Sequence, residues 1–179
     1  MINILAIDPG YAKGGKGCAC AFFRDGILAR TWFERHSTWC HSSARAATPG
    51  LRAVVWEKPQ ADGRTYAAGP AVMIDLTDAG ASLAGLYAGY FGAQLVALTP
   101  SASKGNRPKP ICHRELWTSV LTDTERALLG GDATWRQIEK ACEKGALSRW
   151  NPKLDWYPRT WLLHNILDAL ALGCGYLGR

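Results

Sequence analysis

The order of its β-prone and helical segments is the feature of this sequence that most restricts its fold. Five short apolar runs are typical of strands, namely residues 2–7, 18–23, 27–34, 51–59 and 94–100. Asp25-Gly26, between the second and third runs, is a strong signal for a two-residue hairpin. A helical pattern at 71–92 separates the last two runs, and a strand–helix–strand unit of this kind makes its strands parallel. The order therefore predicts an α/β fold with a central mixed five-stranded sheet, in which three antiparallel strands are followed by a parallel βαβ unit.

Helices are predicted to flank this sheet. Beyond the fifth strand, the stretches 113–130, 133–150 and 160–178 are predicted to be helical, and the last is apolar on most sides, which favours burial. The stretch 36–50 has no clear period and is predicted to be a loop, with a short helix as the alternative. A chain of 179 residues is long enough for one domain with a substantial core and leaves little room for two. We therefore expect a single domain over residues 1–179.

Charge and composition narrow the classes of function. With 47% hydrophobic and 20% charged residues, the chain has the composition of a globular protein and not of a disordered one. The net charge of +6 suggests a polyanionic partner such as nucleic acid, although solubility alone is the simpler alternative. No apolar run approaches the ~20 residues of a membrane span, and the N-terminus lacks the features of a signal peptide. We therefore expect a cytoplasmic location without a membrane partner.

Three acidic residues interrupt apolar segments. Asp8 ends the first strand before a Pro-Gly turn, Glu57 lies at the end of the fourth strand, and Asp168 lies within the last helix. If the first and fourth strands pair in parallel, Asp8 and Glu57 emerge at the same edge of the sheet, where a helix packed beside them can present Asp168. Clustered carboxylates repel one another unless a cation neutralises them, and hard oxygen ligands suit Mg²⁺ or Mn²⁺. The three acids therefore predict a divalent metal site.

The last helix also offers a fourth site residue. His164 lies four residues before Asp168 and shares its face, and Asn165, three residues before, can also converge on it. Each candidate has a plainer alternative: Asp8 could form an Asx-turn, and Glu57 could be a surface acid at a strand end. Asp168 could be a paired helix carboxylate, and His164 could be a satisfied core histidine. Because all the acids fit one topology, we favour the site over these separate explanations.

Several of these stretches resemble a known family. "ILAIDPGYAKGGKGCACAFF" resembles the opening of RuvC-type Holliday junction resolvases, in which a strand ends in Asp-Pro-Gly and a glycine-containing turn leads into the second strand. "VVWEKP" resembles the glutamate motif of their fourth strand, and "DALALG" resembles their C-terminal Asp-Ala-Leu-Ala helix. "LVALTPSASKG" is similar to their strand, Thr-Pro and lysine loop. The match covers most of the chain, but 107–157 matches the compact bacterial enzymes poorly, so the chain looks more like a divergent phage-type relative.

The resemblance implies an RNase H-like fold, a homodimer and Mg²⁺-dependent cleavage of branched DNA in a bacterial or phage-infected cell. Carried over position by position, Asp8, Glu57 and Asp168 match three metal-binding acids, which would hold two Mg²⁺ or Mn²⁺ ions. The family has Asp or His three residues before the last acid, where this chain has Asn165. We favour His164 as the fourth catalytic and metal-binding residue and keep Asn165 as the alternative.

Two surfaces are predicted to contact partners. Basic and aromatic residues in loops are predicted to bind DNA, with a solvated basic face as the alternative: Lys13, Lys16, Arg64, Tyr66, Lys104, Arg107 and Lys109. Small residues three and four apart, from Ala81 to Gly92, predict that another backbone packs closely against this helix. The homodimer would use this face, and packing against the sheet of the same chain is the alternative.

Other functions share parts of these patterns. Another RNase H-like nuclease, acting on flaps or RNA, would have the same metal site. A non-catalytic nucleic-acid-binding module with a decayed site is a second rival, against which the presence of all three acids argues. An actin-like ATP-handling domain also has an Asp-ended first strand, but this chain is too short for the two such domains that the fold needs.

Overall fold

A computed structural model describes residues 2–9, 17–59, 70–100, 107–145 and 161–179. Its strands are β1 Ile4–Asp8, β2 Cys18–Arg24, β3 Ile27–Glu34, β4 Ala53–Glu57 and β5 Gln94–Leu98. They form a five-stranded sheet in the order β3-β2-β1-β4-β5. The pairs β1–β2 and β2–β3 are antiparallel, whereas β1–β4 and β4–β5 are parallel. The predicted α/β class and the mixed five-stranded sheet are confirmed.

The β2–β3 hairpin forms where the sequence predicts it. Asp25 and Gly26 have positive φ angles of 53° and 82°. A type I′ turn requires positive φ at both central residues, and Asp followed by Gly tolerates this conformation well. The turn sets a register in which Arg24 pairs with Ile27. The register then shifts between Phe22 and Phe23, so the turn sets the pairing only at the hairpin end of the two strands.

Helices cover both faces of the sheet. A 3₁₀ turn at His36–Thr38 precedes a short helix, so the helical alternative for this stretch is the correct one. The α-helices are α1 His41–Ala47, α2 Pro70–Phe91, α3 Lys109–Glu115, α4 Asp123–Leu128, α5 Gly131–Gly145 and α6 Trp161–Tyr176. Among the helices in the described ranges, none combines the length and apolarity that a membrane crossing requires.

The single helix predicted over 113–130 is wrong. After α3 the chain makes a π-helical turn at Leu116–Val120, and a new helix, α4, begins beyond Thr122. The Thr122 hydroxyl accepts a hydrogen bond from the Glu125 N–H at 3.3 Å, and the Glu125 carboxylate accepts one from the Thr122 N–H at 2.8 Å. This reciprocal pair is a capping box. The capping box begins a new helix, α4, at a point where the apolar pattern predicts that the helix over 113–130 continues.

The sheet separates two apolar layers. In β1, the odd-numbered Ile7 packs in the layer that contains Leu83 of α2, whereas the even-numbered Ala6 packs with Leu170 of α6. All four side chains are fully buried. Successive side chains of a strand point to opposite faces. The α6 layer therefore receives the even-numbered residues of β1, such as Ala6, and the odd-numbered residues of β4, such as Val55. This alternation decides which helix each strand-end acid faces.

An apolar stripe of α2 is only partly buried, and it is formed by Leu83, Leu86, Tyr87 and Tyr90. Leu83 and Tyr87 are fully buried against the sheet, but Leu86 and Tyr90 are 37% and 39% exposed. These positions are three and four residues apart and therefore share one side of the helix. Tyr90 also contacts the rings of Trp39, His41 and Phe91, so the apolar stripe extends from the sheet to a partly exposed edge. Helix α2 therefore presents a partly apolar outer face.

A buried ion pair ties α4 to the β2–β3 hairpin and to Arg179. The Glu125 side chain is fully buried, and its two oxygens accept hydrogen bonds from Arg179 Nη1 and Nη2 at 2.8 and 2.7 Å. Glu125 also accepts from the Leu28 N–H at 2.8 Å, and Arg179 donates to the Gly26 carbonyl at 2.9 Å. Burial alone raises the pKa of Glu125, but the hydrogen bonds from Arg179, Leu28 and Thr122 lower it to about 2. Glu125 is therefore a structural carboxylate.

Candidate active site

Asp8 and Glu57 lie at the carboxyl ends of two neighbouring parallel strands. The register pairs Ile7 with Trp56, so Asp8 and Glu57 occupy the next position along β1 and β4. Both carboxylates are buried, with 5% and 7% of each residue exposed. By strand alternation both point into the α6 layer, the one that contains Ala6. Since paired strands are ~4.8 Å apart, the fold places two acids at one point of the sheet edge.

Asp168 lies on the helix that covers this face. Helix α6 packs across β1, β2 and β4, and Leu167 and Ala169, on either side of Asp168, are fully buried in the same layer. The Asp168 carboxylate is itself fully buried. A buried carboxylate is costly unless hydrogen bonds and an opposite charge compensate it. The groups that contact Asp168 therefore show how its buried negative charge is compensated.

Helix α3 supplies two partners for Asp168. Lys109 Nζ lies 2.7 Å from Asp168 Oδ2, and His113 Nε2 lies 3.0 Å from Oδ1. Lys109 and His113 are four residues apart and therefore share one face of α3. The His113 side chain is fully buried, whereas 47% of the Lys109 side chain is exposed. A buried imidazole N–H that donates to a carboxylate fixes the orientation of both groups.

His164 approaches the same carboxylate from within α6. Its Nε2 lies 3.2 Å from Asp168 Oδ2 and 3.0 Å from Lys109 Nζ. Burial and the Lys109 ammonium, opposed by the Asp168 carboxylate, lower the pKa of His164 to about 4. The imidazole is therefore neutral at pH 7, and Nε2 can accept a hydrogen bond from the Lys109 ammonium. Two electron-pair donors, one from His164 and one from Asp168, converge on a single cation.

Asn165 is the other candidate for the fourth position. It is buried on α6, with 6% of the residue exposed. Among the described residues, its Nδ2 has no hydrogen-bond partner, although buried amide groups are normally satisfied. His164 contacts Asp168 directly, whereas Asn165 contributes an amide with unused hydrogen-bonding capacity. The choice between the two therefore stays a prediction.

The chemistry of these residues fits a hard divalent cation. Asp8, Glu57 and Asp168 are buried carboxylates on one layer, and carboxylate oxygens are the ligands that Mg²⁺ and Mn²⁺ prefer. His164 and Asp168 already converge on a positive charge. In the part of the chain that the structure covers, no group of three or more His, Cys, Asp or Glu side chains is arranged to hold a metal ion. The candidate ligands are thus brought to one layer without forming a complete ligand set there.

Two of the seven predicted DNA contacts lie in described parts of the chain. The other five lie outside the described residues: Lys13, Lys16, Arg64, Tyr66 and Lys104. Arg107 is exposed and forms an ion pair with Glu115 of α3. Lys109 does not stand apart from the candidate site, because its ammonium contacts Asp168 and His164. The structure therefore associates Lys109 with Asp168 and His164, and its contact with DNA stays a prediction.

His113 is the functional candidate that the sequence analysis missed. Its contact with Asp168 joins residues that are 55 positions apart in the chain, so no local pattern shows the pair. The available signal was the four-residue spacing of Lys109 and His113 at the start of a helix, which places a basic group and an imidazole on one face.

Comparisons with known proteins do not assign this chain to a family. No model of a known protein family matches the chain, and no curated protein matches it either. The function is therefore argued from the residues and contacts described above.

Proposed function

We propose that this chain is a metal-dependent, structure-selective endonuclease with an RNase H-like fold, similar to the RuvC-type resolvases. It resolves four-way or branched DNA junctions in the cytoplasm by paired nicks that leave 5′-phosphates. The observation that carries the proposal is the placement of Asp8 and Glu57, buried at the ends of adjacent parallel strands, on the face covered by the helix that contains Asp168.

Electrostatics favours a cation-dependent role for these acids. Carboxylates that share a buried site raise one another's proton affinity unless a positive charge lies between them. Lys109 supplies one such charge to Asp168. Glu125, by contrast, lies at the β2–β3 hairpin beside the start of β1, where its ion pair with Arg179 ties the fold together. Asp8 and Glu57 lie instead at the adjacent carboxyl ends of two parallel strands.

The side chains have distinct tasks in this proposal. When bound, two Mg²⁺ or Mn²⁺ ions would activate a water for in-line attack on phosphorus and stabilise the leaving 3′-oxygen. Asp8, Glu57 and Asp168 would hold them, with His164 as the fourth ligand. His113 keeps Asp168 Oδ2 turned towards His164, because it holds the other oxygen. Burial of the acids limits competing water and strengthens each electrostatic interaction.

The outer face of α2 supports the proposed homodimer. Leu86 and Tyr90 are 37% and 39% exposed, and a Cβ built on Gly85 or Gly89 would meet no atom within 4 Å. Within the described residues, no atom of the same chain would meet these two Cβ atoms, whereas Leu83, Tyr87 and Ala81 pack on the sheet side of the helix. Exposed apolar patches commonly mark protein interfaces. A dimer through the helix from Ala81 to Gly92 would supply the two active sites that paired nicks need.

A substrate comparison tests the function. The chain is incubated with a four-way junction, a flap and an RNA–DNA hybrid of equal length, each with Mg²⁺ and with EDTA. The proposal predicts Mg²⁺-dependent cleavage of the four-way junction at symmetrical positions, with ligatable 5′-phosphate ends. Cleavage of the flap or hybrid alone would assign a different nuclease activity to the same site. Junction binding without cleavage in any metal would contradict catalysis and favour a binding module.

A further inference from the structure

The Lys109 ammonium lies at the point where two predicted metal ligands converge. Its Nζ is 2.7 Å from Asp168 Oδ2 and 3.0 Å from His164 Nε2, and those two acceptor atoms are 3.2 Å apart. The ammonium donates hydrogen bonds to the same lone pairs that a divalent ion would need. A metal ion therefore cannot coordinate Asp168 Oδ2 and His164 Nε2 while Lys109 is hydrogen-bonded to both atoms.

We propose that Lys109 is a tethered cation that competes with the divalent metal ion for Asp168 and His164. This inference rests on the proposed metal site. It assigns to Lys109 a regulatory role in metal binding. Without metal, the Lys109 ammonium neutralises the Asp168 carboxylate, and it must move away before Asp168 and His164 can both coordinate a metal ion.

The packing of the cluster allows this exchange. The Lys109 side chain is 47% exposed, so it can move towards solvent, whereas the Asp168 side chain is fully buried and cannot. His113 is also fully buried and holds Asp168 Oδ1 at 3.0 Å. Departure of Lys109 would therefore leave Oδ2 in place and oriented, while the lysine regains its hydration and its side-chain freedom.

The expected strength of the competition follows from the exposure of the lysine. An opposite charge next to a carboxylate typically favours its ionised form by about ten- to a thousandfold. Solvent around a half-exposed lysine screens the interaction and places it at the lower end of that range. Removal of the ammonium should therefore raise metal affinity by about tenfold, which corresponds to about 1.4 kcal/mol.

Calorimetric titration with Mn²⁺ tests the competition without reference to cleavage. Lys109→Met and Lys109→Gln remove the charge, and Lys109→Arg keeps it. Lys140→Met, on the exposed side of α5, is the control for a general loss of positive charge. Asp8→Asn identifies binding at the proposed site. Urea unfolding with and without Mn²⁺ shows that each variant is folded, and it gives a second measure of binding, because a ligand of the native state stabilises it.

The expected result is Mn²⁺ binding about tenfold tighter in Lys109→Met and Lys109→Gln, and unchanged within about threefold in Lys109→Arg and Lys140→Met. Equal or weaker binding in the two neutral Lys109 variants, with wild-type binding that Asp8→Asn abolishes, would overturn the competition and leave the proposed metal site intact. Absence of Mn²⁺ binding in both the wild type and Lys109→Met would overturn the metal site itself.

Discussion

The ion pair between Glu125 and Arg179 should make the free energy of unfolding fall at low pH. Glu125→Gln should remove this part of the pH dependence. The pKa of Glu125 is lowered from its ordinary 4.5 to about 2. Because a tenfold change in proton affinity is worth about 1.4 kcal/mol, the ionised carboxylate contributes about 3 kcal/mol at neutral pH. That figure agrees with the ~3–5 kcal/mol typically lost when one partner of a buried pair is removed. Glu125→Gln should therefore lower the free energy of unfolding by about 3 kcal/mol at pH 7.

The sign of the pH dependence follows from the lowered pKa. The unfolded state binds a proton near pH 4.5, and the folded state binds it only near pH 2, so acid favours the unfolded state between these values. The contribution of Glu125 is complete above about pH 5.5. About 2 kcal/mol of it should be lost by pH 3. Over the same range, the difference in stability between the wild type and Glu125→Gln should narrow by that amount.

Urea unfolding followed by circular dichroism measures this difference at pH 7, 5, 4 and 3. Asp123→Asn is the matched control, because Asp123 lies on the same helix with 98% of its side chain exposed and pairs with Arg126 at the surface. The control should differ from the wild type by less than about 1 kcal/mol at every pH. A difference between Glu125→Gln and the wild type that stays constant from pH 7 to pH 3 would refute the reasoning, as would full stability of Glu125→Gln at pH 7.

Three further predictions concern packing, assembly and the site. A Cβ at Gly173 would lie 2.8 Å from Phe23 Cζ, whereas one at Gly175 would meet nothing within 4 Å. Gly173→Ala should therefore lower the free energy of unfolding by about 1–3 kcal/mol in urea unfolding. Gly175→Ala should leave it unchanged or raise it by up to about 1 kcal/mol. Leu86→Lys places a charge on the outer face of α2 and should weaken self-association at least about tenfold in light scattering, by about 1.4 kcal/mol or more; an unchanged mass would contradict the α2 interface. His113→Gln keeps an N–H donor and should retain most of the Mn²⁺ affinity, whereas His113→Leu should lower it by about 10–100-fold; equal affinities would show that the hydrogen bond does not position the carboxylate.

The sheet and the strand-end acids could be predicted because local patterns specify them. Asp25-Gly26 determines its own turn, since the two residues tolerate the positive φ that they adopt. The parallel pairing of β1 and β4 was a condition of the predicted site, and the sheet meets it and places Asp8 beside Glu57. Each of these features depends on neighbours in the chain or on general rules of connection.

The features that could not be predicted depend on contacts between distant residues. The partners of Asp168 come from α3, and Lys109 lies 59 positions away from it. The partial exposure of Leu86 and Tyr90 depends on how α2 is rotated against the sheet, which helical periodicity alone leaves open. The break before α4 had a local signal, the capping box at Thr122 and Glu125. Apolar residues on both sides of that signal gave the stretch the pattern of one continuous helix.

The central claim is that Asp8 serves metal-dependent cleavage of branched DNA. Its most direct test compares the wild type with Asp8→Asn on a radiolabelled four-way junction in Mg²⁺, with junction binding measured by gel shift in EDTA. Asp132→Asn, a change at an exposed acid on α5, is the control. We predict that Asp8→Asn abolishes cleavage but leaves junction binding unchanged. Asp132→Asn should cleave the junction at the wild-type rate. Wild-type cleavage rates in Asp8→Asn would contradict the account.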